Sequence, residues 1–352
     1  LYIRRNIEGN ASPVLSFAWH GGEPLLAGID FYKKAVALQK KYAEGREVEN
    51  SIQTNGLLVN REWCDFFRDN NFLVGISIDG PEDIHDAHRF DAGGQPTFAR
   101  VMKAIEMMYR SRVEYNTLST VNVHSEGRGH EVYRFLRQIS MFMQFLPVAE
   151  LVSDGFIQSP DKERAQIASW SVSARGFGQF MCDIFDDWVV SDVGERYVQL
   201  FDATLANYVG VQPSICSLCE TCGTGLTVEH NGDVYACDHF VYPEYRLGNI
   251  HTDSLSDLAY CDRQFEFGVL KRSSLPHQCR HCKYYFLCRG ECPKHRFIKD
   301  STDEYGLNIL CEGYKMFFEH TEPYMQRMKA LLLEKKSPAL VMGMARERLK
   351  RR

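Results

Sequence analysis

Nine of the chain's twelve cysteines fall into two short-spaced groups. The first is Cys216-x2-Cys219-x2-Cys222, with Cys237 fifteen residues further on. The second is Cys279-x2-Cys282-x5-Cys288-x3-Cys292, with Cys311 beyond it. Turns can gather thiolates at such spacing onto one metal ion or one iron–sulfur cluster. Nine thiols exceed what one zinc site uses and cover the ligands of two four-cysteine clusters, while two structural zinc sites would also use them. Cys237 is followed at once by Asp238 and His239. By itself Asp238 reads as a turn residue or as an acceptor supporting its neighbour. Cys64, Cys182 and Cys261 lie outside the spacing pattern and read as core positions, and Cys219 reads as a spare buried thiol.

The elements that must position these groups have to come from 352 residues, enough for more than one domain. No run of eighteen apolar residues occurs, so a soluble, non-membrane protein is expected. A net charge of −5 gives no basic field for nucleic acid. The one basic run, Arg346 to Arg352, reads as a solvated helix end. Many cysteines with no secretory leader pattern point to a reducing cytoplasm, where thiols stay available to metals. Leu1-Tyr2-Ile3-Arg4 reads as the middle of a helix, and an N-terminal segment is expected to precede it.

Strand and helix patterns alternate through the first half. Strands are expected at Val14–Trp19, Val48–Gln53, Phe72–Ile78, Tyr115–Val123 and Met143–Val148. Helices are expected at Asp30–Tyr42, Arg61–Asp69, Thr97–Ser111 and Glu131–Ser140. Such units imply right-handed parallel crossovers, hence an α/β fold with polar, glycine-rich loops gathered beyond the strand ends. Five units are visible; a sixth, ahead of Leu1, would complete a (β/α)6 barrel. Residues 160–210 read as helices with aromatic faces. The stretch from Pro213 to about Gly313 is loop-rich with an Asn231-Gly232 hairpin, and Asp303 onward is largely helical. The expected organisation is a partial barrel at 1–150, a helical connector at 151–212, a cysteine-rich domain at 213–320 and a C-terminal helix with basic tail at 321–352.

The loop His20-Gly21-Gly22-Glu23-Pro24 ends the first strand. Alone it reads as an ordinary turn. Joined to Gln53-Thr54-Asn55-Gly56, Ser77-Ile78-Asp79-Gly80-Pro81 and His85-Asp86-x2-Arg89, it reads as one side of a ligand-binding mouth. The stretch Phe17 to Gly28 resembles radical S-adenosylmethionine enzymes and, more narrowly, the anaerobic sulfatase-maturating enzymes. Ser77 to Arg89, Asn116 to Asn122, Gln144 to Pro147 and above all Cys237-Asp238-His239 through Gly248-Asn249-Ile250 carry the same resemblance, which spans roughly residues 14 to 320.

The resemblance implies that Gly22 and Glu23 hold the methionine amino group of S-adenosylmethionine. By the same likeness Ser77 and Arg89 contact the cofactor, and Ala149 lies near the adenosine. It implies one auxiliary [4Fe–4S] cluster on Cys216, Cys222, Cys237 and Cys292, and a second on Cys279, Cys282, Cys288 and Cys311, in a SPASM-type extension. Asp238 becomes the general base. His20 and His239 fall in the same motifs and read as orienting groups. The implied reaction converts a cysteine or serine of an unfolded sulfatase polypeptide, in a Cys/Ser-x-Pro-x-Arg motif, to Cα-formylglycine, with flavodoxin or ferredoxin as electron donor. The family's Cys-x3-Cys-x2-Cys, which holds the cluster that cleaves the cofactor, has no counterpart in these residues; the chain is expected to be a fragment, inactive as written. Two alternatives stand beside this reading: a related peptide maturase that forms crosslinks, and a non-catalytic zinc protein.

Overall fold

The computed structural model describes residues 1–153, 156–160 and 165–350. Strands Val14–Trp19 (β1), Glu47–Thr54 (β2), Phe72–Ser77 (β3), Tyr115–Val121 (β4) and Phe142–Pro147 (β5) lie side by side in chain order. The pairings of β1 with β2, β2 with β3 and β3 with β4 are parallel. This is the α/β architecture that the alternating pattern predicts. One strand was not foreseen. Tyr197–Val198, within the stretch read as helical, pairs in parallel with β5 and becomes the sixth strand of the sheet. β4 stops at Val121, two residues before its expected end, because Asn122 turns the chain by accepting the His124 amide at 2.9 Å. The helix after it, Gly129–Leu136, likewise closes before Ser140. Leu1 to Arg4 open helix Tyr2–Glu8, as their helical pattern implies.

The chain divides into two compact units. The first comprises residues 1–78, 88–118 and 223–268. Its core sits where helices Tyr2–Glu8 and Ile29–Tyr42 cover β1: Ile3, Ile7, Leu15, Phe17, Ala35 and Ala43 are buried together. Beside them Asn50 accepts from Trp19 at 2.9 Å and exchanges hydrogen bonds with Gln39 at 2.9 and 3.0 Å. These buried amides thereby satisfy one another, as burial requires. The Asn231-Gly232 hairpin is present, joining Thr227–Val228 to Asp233–Tyr235, and Arg246–Asn249 adds a third antiparallel strand.

The second unit comprises residues 79–87, 119–222 and 269–352. Its core is aromatic: Phe185 packs on Phe201 at 5.2 Å, and Phe201 stacks on Phe317 at 5.5 Å. Helix Ala174–Ser191 meets helix Cys311–Leu333 so closely that a Cβ on Gly313 would lie 2.0 Å from the Ala174 carbonyl oxygen. The second helix starts at Cys311, so this crossing fixes the last cysteine of the second thiol group. Arg346, expected in a solvated helix end, is exposed on helix Val341–Lys350, where it also donates to the Val190 carbonyl at 2.9 Å. Residues 351 and 352 of that basic run lie outside the described residues.

Gly313→Ala is expected to lower stability by roughly 1–3 kcal/mol through overpacking. Gly343→Ala, where nothing stands within 4 Å of the added carbon, should leave stability equal or higher. Matching denaturant midpoints for the two variants would contradict the close crossing.

Candidate active site and cluster-binding cysteines

β1 runs out into His20-Gly21-Gly22-Glu23. Gly22 takes φ +54 with open space where a Cβ would stand, so its exposed backbone can be approached closely. Glu23 is tied down from three sides. Its carboxylate accepts the Thr54 hydroxyl at 2.7 Å, the Asn55 amide at 2.8 Å and the Leu25 amide at 3.1 Å. A carboxylate has about four acceptor positions, so this anchoring leaves capacity for one more donor, such as an ammonium group. The sequence assigned Glu23 to a ligand; the structure adds that it locks the loop after β1 onto the end of β2.

Ser77, at the end of β3, accepts from the Gln53 amide at 3.1 Å. On the next strand Asn116 faces Gly75 across the β3–β4 pairing, and its side-chain oxygen is buried with no hydrogen-bond partner. That atom is an acceptor waiting for a donor. Arg89 is half-buried in the same unit, and its carbonyl accepts the Thr97 hydroxyl at 3.0 Å. In the second unit, Ala149 follows β5 and is fully buried.

Asp238 also belongs to the first unit. The Cys237 thiol donates to its Oδ1 at 3.1 Å, the His239 amide donates to the same oxygen at 3.0 Å, and His20 Nε2 stands 4.0 Å from Oδ2. Burial alone would raise its pKa, but His239, the Cys237 thiol and His20 outweigh that and hold the carboxyl below the usual carboxylate range. An ionised carboxylate at this place can accept a proton. His20, eighteen residues into the chain from Tyr2, thus meets the Cys237 motif in space, a pairing the sequence did not reveal.

None of the twelve cysteines forms a disulfide. Four of them, Cys279, Cys282, Cys288 and Cys311, line a single cavity together with Tyr284, Tyr314 and Phe318. Burial pushes the Cys279 thiol up to about 11 and raises those of Cys222, Cys288 and Cys311, so metal must displace protons to bind here. Cys216, Cys222 and Cys292 belong to the same unit, whereas Cys237 belongs to the first. Among the described residues, no three His, Cys, Asp or Glu side chains converge tightly enough to hold one ion. A four-iron cluster takes four thiolates, one at each iron. An all-sulfur donor set around one cavity therefore fits a four-iron cluster.

The spare Cys219 points its thiol at the Pro213 and Ile215 carbonyls, at 3.7 and 3.5 Å. Cys64 and Cys182 are buried as expected, but Cys261 is only half-buried and directs its thiol to the Leu258 carbonyl at 3.2 Å. Sequence reading missed Lys271 and Arg296. Both are buried among the cysteine loops, and a basic side chain carries no sign of its burial in the sequence.

Residues 3–136 match the Radical SAM superfamily, and residues 211–283 match SPASM, an iron-sulfur cluster-binding domain. The chain is 45% identical over 347 residues to a serine-type anaerobic sulfatase-maturating enzyme of Bacteroides thetaiotaomicron, covering 97% of this chain and 84% of that one. The chain belongs to the anaerobic sulfatase-maturating enzymes. Within that family it is also 36% identical to a cysteine-type enzyme of Clostridium novyi, over 86% of this chain and 79% of the relative. A solved anaerobic sulfatase-maturating enzyme, anSMEcpe with bound AdoMet and Kp18Cys peptide, superposes with a TM-score of 0.83 at 32% identity. That match covers 94% of this chain and 89% of the other. This sulfatase-maturating enzyme is therefore a radical S-adenosylmethionine oxidoreductase with iron–sulfur cofactors. Among the described residues, no helix is long and apolar enough to cross a membrane.

Glu23→Gln replaces an acceptor with a donor facing the Asn55 amide. It is expected to weaken S-adenosylmethionine binding about tenfold or more. Equilibrium dialysis measures this, and an unchanged Kd would remove Glu23 from the cofactor site.

Proposed function

We propose that this chain oxidises a cysteine or serine side chain of an unfolded sulfatase polypeptide to Cα-formylglycine, with Asp238 as the base. The observation that carries the reading is the place of the Asp238 carboxylate, directly after Cys237 and with its Oδ2 4.0 Å from His20 Nε2. Gly22 and Glu23 hold the methionine amino group of S-adenosylmethionine, Ser77 and Arg89 its remaining polar groups, and Ala149 borders the adenosine. An always-charged guanidinium such as Arg89 suits the cofactor's carboxylate. Bound S-adenosylmethionine, with its cluster, supplies hydrogen abstraction from the target's β-carbon. The sequence contains no Cys-x3-Cys-x2-Cys, so no residue of this chain is assigned to the cluster that cleaves the cofactor.

Asp238 takes the proton of the target thiol or hydroxyl. Losing one hydrogen atom from carbon and one proton from the heteroatom leaves a surplus electron on the substrate; its removal gives the aldehyde from serine, and from cysteine a thioaldehyde that water hydrolyses to the aldehyde with release of hydrogen sulfide. The auxiliary clusters provide the electron's acceptor, one held by Cys216, Cys222, Cys237 and Cys292 and the other by Cys279, Cys282, Cys288 and Cys311. Four protein ligands on each close these clusters to substrate and suit them to electron transfer. In this reading residues 1–150 carry the cofactor, 151–212 connect, 213–320 carry the auxiliary clusters and 321–352 close the chain. A Cys/Ser-x-Pro-x-Arg segment fits a protein of net charge −5. Flavodoxin or ferredoxin would be the reductant. Twelve cysteines outside disulfides suit a cytoplasmic setting.

Asp238→Asn, in protein carrying the cofactor-cleaving cluster, should leave S-adenosylmethionine cleavage intact and lower aldehyde formation by at least about a hundredfold. Mass spectrometry of a sulfatase peptide and chromatography of the cleaved nucleoside read the two activities. Undiminished formylglycine would show that another group is the base.

A further inference from the structure

Two cations buried among the cysteine loops have no part in the chemistry above. Lys271, near the end of helix Asp262–Ser273, is fully buried. Its ammonium donates to the carbonyls of Cys216 at 2.5 Å, Ser217 at 2.7 Å and Cys219 at 2.5 Å. All three of its donors are thus spent on the first cysteine loop. Arg296 is 7% exposed. It donates to Gly290 at 2.7 Å, to Arg289 at 3.0 Å and to Glu291 at 2.9 Å, the carbonyls between Cys288 and Cys292, and to the Lys271 carbonyl at 2.5 Å. One side chain therefore reaches from the second cysteine loop to Lys271, and the other from Lys271 to the first.

The charge balance around this staple is unusual. Every one of these acceptors is a neutral main-chain carbonyl, which solvates a cation without cancelling its charge. Glu291 is the carboxylate nearest in sequence, and its Oε2 is taken by His295 at 2.9 Å and Asn308 at 2.6 Å. The Glu291 carboxylate also attracts both cations through space, but one negative charge against two buried positive ones leaves a costly imbalance. Thiolate-ligated clusters would supply the missing negative charge, because four thiolates outweigh the charge of the iron–sulfur core.

We propose that Lys271 and Arg296 are positioning residues that hold the two cysteine loops in register and, by their charge, raise the potential at which the auxiliary clusters accept an electron. The inference rests on the cluster assignment made above. On reduction an oxidised cluster gains one electron and one unit of negative charge, and a fixed cation in a low-dielectric interior stabilises that more negative state.

The test uses the full chain reconstituted anaerobically with iron and sulfide. It reads metal content and the midpoint potential of the auxiliary clusters by redox titration followed by electron paramagnetic resonance. Lys271→Gln keeps two donors for the loop carbonyls and removes the charge. It should bind iron and sulfide as the wild type does while its midpoint shifts to more negative potential, with Arg296→Gln shifting in the same direction. Lys271→Arg should restore the wild-type potential. A fully loaded Lys271→Gln protein with an unshifted midpoint would overturn the proposal. Should both neutral variants fail to load, loading of Lys271→Arg and Arg296→Lys would support a requirement for charge, and failure of all four would reduce the pair to a structural staple. Wild-type protein without acid-labile sulfide would instead sink the underlying cluster assignment.

Discussion

Irregular loops that gather closely spaced cysteines leave buried carbonyls outside any regular hydrogen-bond ladder, and this constraint governs the cysteine-rich half of the molecule. Buried carbonyls need donors from somewhere. Here they come from the ends of two long side chains: Lys271 serves the loop around Cys216 to Cys219, and Arg296 serves the loop between Cys288 and Cys292. That second loop contains three successive residues of positive φ, Arg289, Gly290 and Glu291, at +50, +75 and +54. Gly290 cannot be replaced cheaply, because an added Cβ would lie 2.3 Å from Leu275 and 2.5 Å from Arg296. The backbone thus spends conformational energy to aim cysteines, and the guanidinium fork holds it there. Helix Cys311–Leu333 supplies the rigid side of the cavity through its tight crossing at Gly313.

A related device works at the strand ends. Glu23, beyond β1, accepts from Thr54 and Asn55 at the end of β2. Asp79, beyond β3, is 2% exposed and accepts both the amide and the hydroxyl of Thr120, on β4, at 2.7 and 3.0 Å. In each case a loop carboxylate is fixed by the end of the neighbouring strand. Charge-assisted hydrogen bonds of this kind hold loop backbone in place before any ligand arrives, which is what positioning for radical chemistry demands.

Much of this was legible in the sequence, for physical reasons. β1 was read at its true bounds because a short apolar run is closed by Gly21-Gly22, and helix Arg61–Asp69 because Asn60 caps it and its apolar face repeats. Short-spaced cysteines announced themselves, and four of them do line one cavity. The strand Tyr197–Val198 was invisible, since two residues carry no periodicity and its pairing with β5 is made by tertiary context. Lys271 and Arg296 were hidden because their burial depends on carbonyls from segments distant in the chain. The approach of His20 to Asp238 spans more than two hundred residues and leaves no local signal.

The cavity lined by Cys279, Cys282, Cys288 and Cys311 is where the account is most exposed to test. Metal and acid-labile sulfide analysis, with Mössbauer spectra, of anaerobically reconstituted wild-type chain and of a Cys279→Ala/Cys288→Ala variant addresses it directly. The account predicts iron and sulfide in equal amounts in the wild type, and loss of one four-iron cluster in the variant with the other retained. Zinc without sulfide, or iron unchanged by the double substitution, would contradict it.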